Sequence, residues 1–137
     1  MFKEAEMKYK AQELTLELKE KIQCMENEIE RISLELFKEY SYLYIEKNME
    51  LSMELVKDKE HPFEVGYYSS VAIAIDEEKE MIGFYNIPIW KCERIFLGMQ
   101  IQLSIWGSKK VGELVDESCY EIEEELKEQL EEFLVEE

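Results

Sequence analysis

The chain has 137 residues, 46% apolar and 12% aromatic, which is enough for one domain with a sizeable core and too rich for a disordered segment. Its 33 acidic and 16 basic residues leave a formal charge of −17, which argues against nucleic acid and anionic membrane surfaces as direct ligands, since both are held by clustered Lys and Arg. The three cysteines, Cys24, Cys92 and Cys119, are far apart and odd in number, so no disulfide framework is expected. The opening MFKEAEMKYK is charged and lacks the apolar centre of a signal peptide, and no apolar run reaches membrane-spanning length; the expectation is a cytoplasmic protein.

The first 61 residues contain no Gly and no Pro. Met7, Ala11, Leu14, Leu18, Ile22, Met25, Ile29, Ile32 and Leu36 recur at steps of three and four, the spacing of one helical face. A helix from Glu4 to Lys38 would be roughly 50 Å long at 1.5 Å per residue. That length raises two readings of equal weight. Either the seam pairs with a second copy to make a homodimer, or the helix folds onto its own sheet. Residues 40–57 carry mixed signals. Met49, Leu51, Met53 and Leu55 alternate as in a strand, yet Leu, Met, Glu and Lys favour helix. A helix interrupted near Asn48 is expected, with a hairpin turning at Glu46-Lys47-Asn48 as the alternative. Pro62 ends the segment, because it disfavours helix at His61.

The stretch from Phe63 to Trp106 holds Pro88 and both tryptophans and is poor in charge. Three alternating runs are expected to form a small antiparallel sheet of about three strands. They are GYYSSVAIAI, with Val71, Ile73 and Ile75 on one face; MIGFYNIPIW, with Gly83 as a bulge and Pro88 at an edge; and MQIQLSIW, with Ile101, Leu103 and Ile105 together. Of the aromatics here, Tyr67, Trp90 and Trp106 are candidate partner-binding residues, because a sheet covered on one face leaves some of them on the other and Tyr and Trp are favoured interface anchors.

A final helix is expected after Ser108 as its cap, with Val111, Val115, Cys119, Ile122, Leu126, Leu130 and Phe133 as its apolar face and Gly112 weakening its first turn. The fold class is therefore α+β in a single domain: a long N-terminal helical region, the small sheet, and an acidic C-terminal helix. Charge is concentrated at the end, where residues 109–137 hold 12 acidic and 3 basic side chains. Glu117, Glu121, Glu124, Glu128 and Glu131 follow helical spacing and would line one face over about 21 Å. Like charges so placed repel by a few tenths of a kcal/mol per pair. Two explanations stand: a docking face for a basic partner, or a solvated face that only confers solubility.

Catalytic, cofactor and metal sites are not expected. The single histidine, His61, sits in a loop, and no P-loop, GxGxxG or HExxH is present. Cys24, His61, Cys92 and Cys119 lack zinc-ligand spacing, and Asp76, Glu77, Glu78 and Glu80 lack the pattern of a calcium loop. The leading expectation is a non-catalytic acidic binding protein that recognises and inhibits a basic protein, including one that binds nucleic acid. Immunity proteins, antitoxins and phage inhibitors share this size and charge, an analogy of class without a motif. The alternative is a structural or regulatory module that self-associates through its N-terminal helix; a small-molecule enzyme ranks third.

Overall fold

The structure, a computed structural model, describes residues 6–136. In chain order its elements are β1 (Glu6–Tyr9), a turn of 3-10 helix (Ala11–Glu13), α1 (Leu16–Ile45), β2 (Glu50–Lys57), β3 (Tyr68–Glu77), β4 (Glu80–Phe96), β5 (Met99–Ile101), β6 (Lys109–Val115) and α2 (Cys119–Glu136). The fold is α+β, but the sheet has six strands rather than about three. Its order is β1-β6-β4-β3-β2, with β5 pairing to β4.

Three departures from the expected elements account for the difference. The helix begins at Leu16, where Thr15 accepts the Leu18 amide at 3.2 Å as an N-cap. The residues before it are a strand and a short turn; Glu4, the expected start, lies outside the described residues. Residues 40–57 are divided between the two readings. The helix runs to Ile45, Asn48 turns the chain with φ 61°, and Glu50–Lys57 is a strand, not a continued helix. Lastly, Val111 and Val115 belong to β6, a strand inserted between β1 and β4. Ser108 therefore does not cap a helix. It closes a loop by bonding Ile105, while Ser118 caps α2 in a reciprocal box with Glu121, at 3.1 and 2.8 Å.

The described residues group into two compact units, each assembled from three stretches of chain. The first comprises Met1–Glu26, Val56–Ser70 and Pro88–Asp116. Its core is centred on Trp90, whose indole donates to the Pro62 carbonyl at 2.7 Å and is flanked by the rings of Tyr9 and Phe63, each with its centroid 6.0 Å away. Glu113 of β6 sits between Lys8 of β1, at 3.6 Å, and Lys91 of β4, at 3.0 Å, each directly opposite it in register. Such partly exposed pairs add little stability but favour this register.

The second unit comprises Asn27–Leu55, Val71–Ile87 and Glu117–Glu137. Ile122, Leu126 and Leu130 of α2 are fully buried, as are Ile29 and Tyr44 of α1, and the Tyr44 hydroxyl donates to the Leu130 carbonyl at 2.8 Å. A β-carbon at Gly83 would come within 2.6 Å of the Phe133 ring, so glycine makes room for that side chain. On the exposed face of α1, Arg31 bridges Glu28 and Glu35. The apolar seam of α1, from Leu18 through Ile22, Ile29, Ile32 and Leu36, is buried within the single chain.

Candidate functional site

An acidic surface forms along α2. Capping by Ser118 and burial of the Ile122–Leu126–Leu130 stripe fix the rotation of this helix, which turns its glutamates outward. An open groove of about 620 Å³ is lined by six of them, Glu117, Glu121, Glu124, Glu125, Glu128 and Glu131, against one cation, Lys127. The five glutamates singled out by spacing are thus brought together. Two groups that spacing does not reveal complete the groove: Tyr85, which reaches it from β4, and the exposed Tyr120.

The carboxyl groups are not equivalent. Glu121 is engaged by the Ser118 amide as a cap, and Glu131 accepts the Tyr40 hydroxyl at 2.6 Å. Glu125 accepts the Tyr85 hydroxyl, and Glu124 shares Lys127 with Glu123, each at 3.8 Å. Burial, followed by the bonded carboxyl group, pushes the hydroxyl pKa of both Tyr40 and Tyr85 well above the ordinary tyrosine range. Both hydroxyls therefore remain protonated donors and are unsuited to serve as bases near neutral pH.

The three aromatic candidates part company. Tyr67 is buried and donates its hydroxyl to Glu26 at 2.7 Å; Trp90 is 1% exposed in its own core. Neither presents a surface to a partner. Trp106 is 97% exposed. His61 lies in an exposed loop, where its Nδ1 accepts the Phe63 amide at 3.1 Å. Cys24, Cys92 and Cys119 are free thiols, and burial raises the pKa of the last two, which disfavours the nucleophilic thiolate. Among the described residues no three His, Cys, Asp or Glu side chains are gathered as metal ligands would be, and Asp76, Glu77, Glu78 and Glu80 surround a two-residue hairpin turn at Glu78-Lys79. Among those residues no helix is long and apolar enough to cross a membrane.

A second constellation was hidden from sequence reasoning. Glu26, in the middle of α1, is 1% exposed and is the one buried acidic side chain among the described residues. Besides the Tyr67 bond, its other oxygen lies 4.0 Å from the Lys57 ammonium. The Tyr67 hydroxyl and the Lys57 ammonium together satisfy a carboxyl group inside the core.

No protein-family model, curated protein or solved structure matches this chain. The functional reading therefore rests on its own geometry.

Proposed function

We propose that the chain is a non-catalytic binding protein that takes a basic protein partner along the acidic groove of α2 and blocks that partner's action. The observation that carries this reading is the groove itself, in which six glutamates face one lysine and two tyrosines offer aromatic and hydroxyl contacts. A field of one sign concentrated on one helix attracts a Lys- or Arg-rich surface over long range and sets the encounter rate more than the final affinity. Inhibition follows when the partner's basic surface is also the one it uses on its substrate, as in antitoxins, immunity proteins and phage inhibitors. Self-association through α1 is the lesser reading, because the seam that prompted it is buried within one chain. Only outward side chains such as Leu16, Leu34, Tyr42 and Ile45 would remain for a second copy.

The test uses Glu124→Gln/Glu128→Gln, which spares the glutamates that cap α2 or bond Tyr40 and Tyr85. With a synthetic Lys/Arg-rich peptide as probe, association at low salt is expected to slow about fivefold and its salt dependence to flatten, since screening acts within 8–10 Å at physiological ionic strength. The melting temperature is expected to stay unchanged. Equal association rates and equal salt slopes for the two proteins would return the groove to a solubilising role.

A further inference from the structure

The acidity of the chain is an average, and one segment departs from it completely. From Arg94 to Gly112 there are three basic residues and no acidic one, in a protein with 33 acidic residues. This segment is the end of β4, β5, the following loop and the start of β6. It carries Leu97, Met99, Leu103, Ile105 and Trp106, all exposed, with Leu97 at 83% and Trp106 at 97%. Apolar side chains lie scattered on most surfaces, but five within ten consecutive residues are not scattered.

Two features of the backbone show that the segment is built and not merely loose. Leu97 and Gly98 form the two-residue turn between β4 and β5, with φ of 52° and 80°. Such a turn favours Asn-Gly, and a leucine there is strained. An apolar side chain is held at the tip where the fold alone would select a polar one, and strain of this kind clusters at functional positions. The loop after β5 is likewise closed. Ser108 bonds both the amide and the carbonyl of Ile105, at 3.3 and 2.6 Å, and accepts from Arg94 at 3.2 Å. A β-carbon at Gly107 would lie 3.3 Å from the Phe96 ring, so the loop packs against the end of β4. Trp106 projects from that fixed turn.

Cations stand just behind the apolar tip. Lys10, Arg94, Lys109 and Lys110 line a pocket of about 780 Å³ that also includes the Ser108 hydroxyl and has no acidic residue in its lining. Arg94 and Lys110 are directly opposite in register, an arrangement of like charges that destabilises a sheet. None of the four forms an ion pair among the described residues. Leu97 is three residues beyond Arg94, or about 10 Å at the rise of a strand. That offset matches the depth to which a peripheral protein buries apolar side chains, with its cations at the phosphate level and Trp at the interface.

We propose that this hairpin and loop dock on the surface of an anionic phospholipid bilayer, with Leu97, Leu103 and Trp106 inserted and the four-cation pocket receiving a lipid phosphate. Highly exposed side chains such as Trp106 and Leu97 suit a bilayer, which requires no shape match. Glu13, which accepts the Lys10 amide at 2.8 Å, and Glu93 border the cations, and the more distant part of the −17 charge is screened over roughly 8–10 Å at physiological salt. This surface is distinct from the acidic groove of α2, and either can fail without the other.

The experiment is vesicle flotation combined with tryptophan emission, using phosphatidylcholine vesicles with and without phosphatidylglycerol. Trp90 is buried, so a blue shift reports Trp106. The whole protein is expected to float with the mixed vesicles and to shift its emission. Leu97→Asn suits the left-handed backbone and is expected to fold at least as stably as the parent while losing most flotation. Lys109→Gln/Lys110→Gln is expected to weaken binding to the mixed vesicles roughly fivefold per charge removed. A folded parent that does not float with mixed vesicles would overturn the proposal, as would a Leu97→Asn protein that floats like the parent. An equal blue shift with a single-stranded oligonucleotide and no lipid would assign the patch to nucleic acid instead, and a lipid-free shift that grows with protein concentration would assign it to a second copy.

Discussion

Gly112→Ala is expected to destabilise the protein by about 3 kcal/mol, a fall in melting temperature on the order of 10 °C. A β-carbon at Gly112 would lie 2.0 Å from Cη2 and 2.5 Å from Cζ2 of Trp90, far inside van der Waals contact. The indole has no room to withdraw. It is 1% exposed, tethered to Pro62 at 2.7 Å and bounded by Tyr9 and Phe63. Gly112 pairs with Tyr9 on one side and Cys92 on the other, so a backbone shift would disturb β1 and β4 together. The second change Trp90→Phe shortens the ring and should recover part of the loss in the double variant, whereas Trp90→Phe alone should be destabilising. Urea titration of the three proteins measures this. Additive losses with no recovery would show that the indole does not clash as the geometry requires.

Tyr67→Phe should cost about 2 kcal/mol, because it removes the hydrogen-bond donor from a carboxyl group inside the core. Glu26 is 1% exposed, and with Tyr67 gone its remaining neighbour is Lys57, at the long distance of 4.0 Å. Glu26→Gln keeps an acceptor for the hydroxyl and is expected to cost less. A double-mutant cycle should return a coupling of about 1–3 kcal/mol; a value near zero would mean that the bond contributes nothing. The same bond has a pH signature. Burial first, and the Glu26 hydrogen bond second, raise the Tyr67 pKa far above its ordinary 10.0, and burial pushes Tyr44 up to about 12. Each folded tyrosine thus holds a proton that the unfolded chain releases at lower pH. Stability from these groups is complete below pH 10 and is lost as pH rises through the folded pKa values. Unfolding followed from neutral pH to 12 should show this decline, and Tyr67→Phe should reduce it.

What the sequence discloses depends on how local the deciding forces are. α2 is legible because Ile122, Leu126 and Leu130 repeat within one element, and the same period places its glutamates on a shared face. β3 is legible through the alternation of Val71, Ile73 and Ile75. β6 is not, since Val111 and Val115 stand four apart and imitate the next helix. Its strand conformation comes from pairing with β1 and β4, partners about a hundred and about twenty residues distant. β2 shows an alternating pattern, but Leu, Met, Glu and Lys prefer helix, and pairing in the sheet overrides that preference. The six-stranded extent of the sheet is not legible locally for this reason. Within the groove, Tyr85 is invisible for the same cause, because it meets Glu125 through packing of β4 and α2 and not through spacing. Trp90 and Trp106 look alike in sequence. Gly112 makes a seat for one, and a loop closed by Ser108 turns the other outward.

The pairing of β1 with β6 also governs the order in which the molecule can be completed. Glu6 meets Val115 across more than a hundred residues of chain. A contact of such separation cannot help the early stages of folding, because loop closure must be achieved before it returns any free energy. During synthesis at 5–20 residues per second, β1 waits on the order of ten seconds for its partner to be made. α1 and the β3–β4 hairpin can form in that interval from contacts close in sequence. The N-terminal strand is expected to be the last piece laid down on the sheet, and its amides should be the last of the sheet to gain protection in pulse-labelled hydrogen exchange.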